Sequence, residues 1–151
     1  LLKSQLLVRC LAVRCALIVS QTWPLIHRAP TVHRSTASRA EVAIAGTVEL
    51  DGRRLPVNGL IDRLAVEADR VLLVDYKTNR PPPLVESQVS PVYLRQMAAY
   101  RHALRGIYPG RAVDCAILWT RARSAMTLPD PLLDAAWEAA MRALDPAGAG
   151  P

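Results

Sequence analysis

The sequence predicts an α/β fold in which a central mixed sheet opens with an antiparallel three-stranded meander and is flanked by helices. Three observations carry this. Three strand-like apolar runs follow one another between residues 41 and 78, separated only by tight-turn residues. A run of apolar residues at helical spacing begins after a proline-rich loop. A β-branched and aromatic run then precedes a closing amphipathic stretch, and strands interleaved with helices are the pattern of a layered α/β domain.

Each element has its own signal. "EVAIAGTVEL" has strand character, and "DGRR" supplies an Asp-Gly turn into "LPVNGLIDRLAV". "EADR" makes the next turn, into "VLLVDYKT", whose start is apolar on both faces, as in a central strand. Three consecutive prolines make "NRPPPLVESQVSP" a loop, because they exclude helix and ladder alike. Pro91 suits a first helical turn, and Leu94, Met97, Ala98, Arg101, Leu104 and Ile107 follow at spacings of one, three or four until "YPGR" ends the run. "AVDCAILWT" reads as a fourth strand, with Cys115 a buried small hydrophobe and Trp119 packing at its end. In "PDPLLDAAWEAAMRAL" the face Leu132, Leu133, Ala136, Ala140 and Leu144 is expected to cover the sheet, with Trp137 as an anchor.

The 151 residues suffice for one domain. We divide the chain into a basic, unassigned segment (1–37), a domain (38–145) and a disordered tail (146–151). A first residue of Leu1 and the loose "DPAGAGP" ending suggest a piece of a longer chain. In the first segment the longest uncharged run, Cys15 to His27, is shorter than the roughly 20 residues that span a bilayer, and Arg9 and Arg14 interrupt any signal-peptide core. An amphipathic helix over Leu2 to Ile18, a linker and sequence foreign to the fold are all compatible with it. Cys10, Cys15 and Cys115 form neither a disulfide nor a zinc pattern, so a reducing, cytoplasmic setting without membrane association is expected.

Charge argues against a simple nucleic-acid reading. The net charge of +6 comes from six basic and no acidic residues before Glu41; from Glu41 onward 13 basic and 13 acidic residues cancel. Contact with DNA must therefore rest on local geometry.

That geometry centres on "VDYKTNR". Strand alternation points Asp75 and Lys77 to one face and Tyr76 to the other. Buried carboxylates and ammoniums are costly to desolvate unless they pair, bind a metal or do chemistry. Asp62, in "GLIDRL", lies across the tight "EADR" turn, and strands about 4.8 Å apart can bring two carboxylates onto one ion. Two carboxylates, waters and a main-chain carbonyl form a hard-oxygen site suited to Mg²⁺. Lys77 is placed to orient or deprotonate an attacking water, or to hold charge on a phosphorane oxygen. On the helix, Gln96 and Tyr100 stand one turn apart and can reach a phosphate or the lysine, with Arg95 and Arg101 flanking them. A solvated strand-end ion pair and an ordinary amphipathic helix are the plain alternatives for each motif alone.

Together, "GLIDRL", "VLLVDYKTNRPPP" and "YLRQMAAYRHAL" resemble the PD-(D/E)XK nuclease superfamily in its RecB-like branch. Over about residues 38 to 137 the chain is similar to the C-terminal nuclease domain of AddA-type helicase–nucleases of bacterial double-strand-break repair. The resemblance implies a restriction-endonuclease-like core and metal-dependent hydrolysis of DNA. Asp62 and Asp75 would be metal-binding carboxylates, the Tyr76 carbonyl a further ligand, and Lys77 the catalytic lysine. Glu41 matches the early acidic motif, and Gln96 and Tyr100 the helix motif that positions DNA and catalytic residues. Asn79 and Arg80 are placed to contact a phosphate. The implied cofactor is Mg²⁺, with Mn²⁺ as a substitute. The implied partners are a single DNA strand delivered by a helicase motor and an AddB-like subunit, in the nucleoid.

Two departures stand out. Relatives carry an upstream histidine ligand, whereas His27 and His33 lie in sequence that does not resemble the family and are read as bystanders. The chain also has no Gly-rich phosphate loop with Lys-Ser/Thr, so it cannot itself unwind DNA. A metal-free DNA- or partner-docking module and a junction- or restriction-type endonuclease are the rival readings.

Overall fold

The computed structural model describes residues 38–50 and 53–144. Strands β1 (Ser38–Leu50), β2 (Arg53–Val66) and β3 (Arg70–Lys77) come first. Helix α1 (Pro91–Ile107), strands β4 (Ala112–Trp119) and β5 (Ser124–Leu128), and helix α2 (Asp130–Leu144) follow. The five strands form one mixed sheet in the order β1-β2-β3-β4-β5, with only the β3–β4 pair parallel. The expected α/β class, meander and central third strand are all present.

The turns follow local chemistry. Leu50 pairs with Arg53 across the β1–β2 hairpin; the Asp51-Gly52 turn itself lies outside the described residues. At the β2–β3 hairpin the Glu67 N–H donates to the Arg70 carbonyl at 2.8 Å. Parallel strands cannot be joined by a tight turn, so β3 reaches β4 through the proline loop and α1. A 3₁₀ turn, Glu86–Gln88, lies in that loop, and Pro91 stands in the first turn of α1, where its missing N–H costs nothing. After α1 the chain reverses through Gly110 at φ 79, a left-handed conformation that glycine adopts without a Cβ clash.

Alternation sorts β3 onto two cores. Val71 and Leu73 join Ile61, Met97, Leu104, Cys115, Ile117, Trp119 and Leu133 beneath the helices. Leu72 and Val74 join Ala65, Ala116 and Leu118 on the opposite face, and all five are buried. Among the described residues both helices contribute to the first core and neither to the second. Val71 and Leu73 are wholly buried. Truncating such a leucine to alanine costs about 2–5 kcal/mol.

Two expectations need correction. Strand β5 was not anticipated: "RARSAMTL" is polar at its start, and only Leu128 of this edge strand is buried. Its register against β4 follows from a hairpin whose turn includes Arg123 at φ 53. The closing helix also covers less of the sheet than its apolar face suggests. Leu133 alone is fully buried; Leu132, Ala136 and Ala140 are half-buried, and Leu144 is 52% exposed, because α2 packs chiefly along α1. The stacked rings of His102 and Trp137, 4.4 Å apart, mark that helix–helix seam, where Trp137 serves as the expected anchor.

Candidate active site

The ends of β2 and β3 bring the predicted residues together. Arg63 pairs with Val74, so Asp62 stands one step further along β2, opposite Asp75. The Tyr76 N–H donates to Asp62 Oδ2 at 2.7 Å, which ties one carboxylate to the strand carrying the other. Asp75 is 3% exposed and Asp62 half-buried. The Tyr76 ring packs at the margin of the opposite core, as alternation requires.

Lys77 Nζ lies 2.6 Å from Asp75 Oδ2. The contact is a short ion pair, and the Lys77 ammonium, which also donates a hydrogen bond to this carboxylate, is the group that answers the buried Oδ2. Burial pushes the Asp75 carboxyl above the ordinary 3.8; Lys77 opposes that shift and the neighbouring Asp62 charge adds to it. A carboxylate held this way has unspent capacity for a positive ligand.

Helix α1 supports the lysine. Lys77 Nζ donates to Gln96 Oε1 at 3.2 Å, and Gln96 Nε2 donates to the Tyr100 hydroxyl at 3.3 Å. Tyr100 is buried against Gly59 of β2, where a β-carbon would overlap the phenol ring and its hydroxyl. The end of β3 is pinned from the other side, since the Thr120 N–H and hydroxyl both donate to the Lys77 carbonyl, at 2.9 and 3.2 Å.

The remaining predicted residues are placed differently. Glu41 is exposed on β1, between the paired residues Ala40 and Val42 and so opposite Asp62. Its φ of 52 is a left-handed conformation uncommon for a residue with a side chain. Asn79 and Arg80 are exposed just beyond β3, and Asn79 Oδ1 accepts from the Tyr93 hydroxyl at 3.1 Å. Arg95 is exposed, but Arg101 points away from the site and is buried against α2. His27 and His33 lie outside the described residues. Among the described residues no three His, Cys, Asp or Glu side chains gather as a metal cage. The donor set is thus the Asp62–Asp75 pair, which fits Mg²⁺, an ion bound by one or two carboxylates with water and phosphate completing its shell.

Sequence reasoning passed over two residues that shape this site. Tyr93 lays its ring over Lys77 Nζ, 4.4 Å from the centroid, and its signal was the three-residue step to Gln96 on one helix face. Gly59 seats Tyr100, and its signal was a glycine inside a strand, which often marks a close approach by another group.

Comparison with known proteins agrees with this fold. The family described as the PD-(D/E)XK nuclease superfamily matches residues 8–144, so the similarity reaches further upstream than the motif resemblance from residue 38 and takes in His27 and His33. No curated protein sequence matches the chain. Among solved structures, the crystal structure of SSO0001 is similar in fold, with a TM-score of 0.50 at 10% identity. The match covers 90% of this chain and 57% of that one. No helix among the described residues is long and apolar enough to cross a membrane.

Proposed function

Because the chain belongs to the PD-(D/E)XK nuclease superfamily, we propose that it is a Mg²⁺-dependent deoxyribonuclease domain whose working centre is Asp62, Asp75 and Lys77. One observation supports this above the others. A buried carboxylate answered by one ammonium stands opposite a second carboxylate.

Asp62 and Asp75 would hold the ion, with the Tyr76 carbonyl as a further ligand. Mg²⁺, when bound, supplies polarisation of the scissile phosphate and acidification of an attacking water. Lys77 orients that water or holds charge on the phosphorane oxygens. Gln96 fixes the lysine and Tyr100 fixes Gln96, while Asn79 and Arg80 approach the backbone phosphates. Contacts of this kind read the DNA backbone and not its bases. Glu41, exposed on β1 opposite Asp62, would reach a bound ion only at longer range or through water.

The motif resemblance extends the reading to an exonuclease-type domain of an AddA-type repair helicase–nuclease. It would act in the cytoplasm, at the nucleoid, on single-stranded DNA delivered by a motor, with an AddB-like subunit. Cleavage of end-labelled single-stranded DNA by the purified chain tests the central part. Products should form with Mg²⁺ or Mn²⁺, vanish with EDTA, and be absent from Asp75→Ala. Near-normal activity in that variant would overturn the assignment. The rival reading is a metal-free DNA- or partner-docking module. A folded chain without metal-dependent products would support that reading.

A further inference from the structure

The Lys77 ammonium has a neighbour on three sides, and the recognised motifs supply two of them, Asp75 and Gln96. The third is the ring face of Tyr93. Tyr93 lies three residues before Gln96, so α1 presents both from one face. Its ring is held in turn. The hydroxyl donates to Asn79 Oδ1, and the ring packs tilted against Trp119, 6.4 Å between centroids, which is itself buried in the core.

We propose that Tyr93 is a positioning residue for Lys77, its ring face closing the ammonium's seat beside Asp75; this rests on Lys77 being the catalytic lysine. A lysine is a compact charge on a flexible four-carbon stem, so neighbours on two sides leave a way out to solvent. An aromatic face attracts the cation through its quadrupole and brings no formal negative charge. A carboxylate at position 93 would hold the ammonium too, but it would draw it from Asp75 and repel a phosphate. The aromatic residue keeps the cation in place without either effect.

Two measurements on the full chain test this. Lys77 is one of only two lysines, the other being Lys3, so labelling lysine Cε with ¹³C gives two sets of signals, assigned with Lys77→Arg. The Lys77 methylene should lie upfield under the Tyr93 ring current, remain so in Tyr93→Phe, and lose the shift in Tyr93→Leu. In cleavage assays Tyr93→Leu should lower kcat by about tenfold with KM unchanged, as expected for a cation–π contact of this type. Tyr93→Phe should stay within about twofold of the parent, because it keeps the ring. Thermal melts should show all variants folded. A Lys77 signal unmoved by Tyr93→Leu overturns the proposal, as does a phenylalanine variant as slow as the leucine one. If the parent and Lys77→Ala cleave alike, or neither cleaves, the nuclease reading fails by itself, and the lysine signals still decide whether the ring seats the ammonium.

Discussion

Lys77 and Arg101 are both cations held against aspartates around α1, and the two clusters are built in opposite ways. At the helix seam the buried member is the cation. Arg101 is 3% exposed and meets Asp134 at 3.0 Å, Asp130 at 3.4 Å and the Asp130 carbonyl at 3.3 Å, with both aspartates more than half exposed. At the sheet edge the buried member is the anion. Asp75 is 5% exposed at its side chain, and its charge is answered by one lysine and aggravated by Asp62. The first arrangement gives a buried charge several acceptors and leaves only Nε without one. The second sets two neighbouring carboxylates against a single lysine, and the negative charge left at a buried position is costly unless a ligand answers it. A shared residue chemistry therefore does not imply a shared role: the seam has the build of architecture, and the charge-imbalanced pair that of the proposed site.

Perturbing the two clusters separately should break this comparison where it is weak. The largest effect is expected from Asp75→Ala and Lys77→Ala, each lowering cleavage by about 10²–10⁴-fold with the fold retained. Initial rates beside a thermal melt check this, and loss of the fold together with activity would place Asp75 with Arg101 as architecture. Next comes Gly59→Ala. Its β-carbon must displace Tyr100, and a displaced partner passed on through Gln96 to Lys77 should cost up to about 10²-fold in rate. Overpacking should also lower stability by about 1–3 kcal/mol. Gly59→Ala combined with Tyr100→Phe should recover part of the stability, as read by urea denaturation.

At the seam, Asp130→Ala with Asp134→Ala leaves the buried guanidinium mainly the Asp130 carbonyl. Half-exposed partners discount the usual cost of a broken buried pair, so about 2 kcal/mol is expected, with cleavage unchanged. A fall in rate at constant stability would link the seam to the site. The smallest effect concerns His102. Burial first, then the charges of Arg105 and Arg101, lower its pKa below 6.5 in the folded chain. The unfolded chain therefore binds more protons, and the contribution is present above pH 6.5 and lost as pH falls through 6.5 toward the folded value. His102→Gln should flatten that slope in denaturation curves taken at a series of pH values.

How much was legible in the sequence divides along the same line. Asp62, Asp75 and Lys77 could be placed because a short hairpin and strand alternation are local rules. Residues 62 and 75 face each other across a turn that the chain writes out in full. The Gln96–Tyr100 step was legible for the same reason, through helical spacing. Arg101 was not: it read as a flank of the DNA-facing region, but its partners lie 29 and 33 residues downstream, where tertiary packing decides. The closing helix erred in the same direction, because its apolar face could not show that α1 would take most of the contact. Strand β5 was missed because an edge strand with one buried residue carries almost no alternation. Tyr93 needed a third dimension, since an aromatic face is recognised by what lies over it.

Titration of Mn²⁺ into the folded chain and into Asp75→Asn, followed by calorimetry, tests the central claim most directly. Saturable binding by the parent that is lost in the variant is the predicted result. Equal binding by both, or none by a parent shown to be folded, would contradict the assignment of the buried aspartate as a divalent-cation ligand.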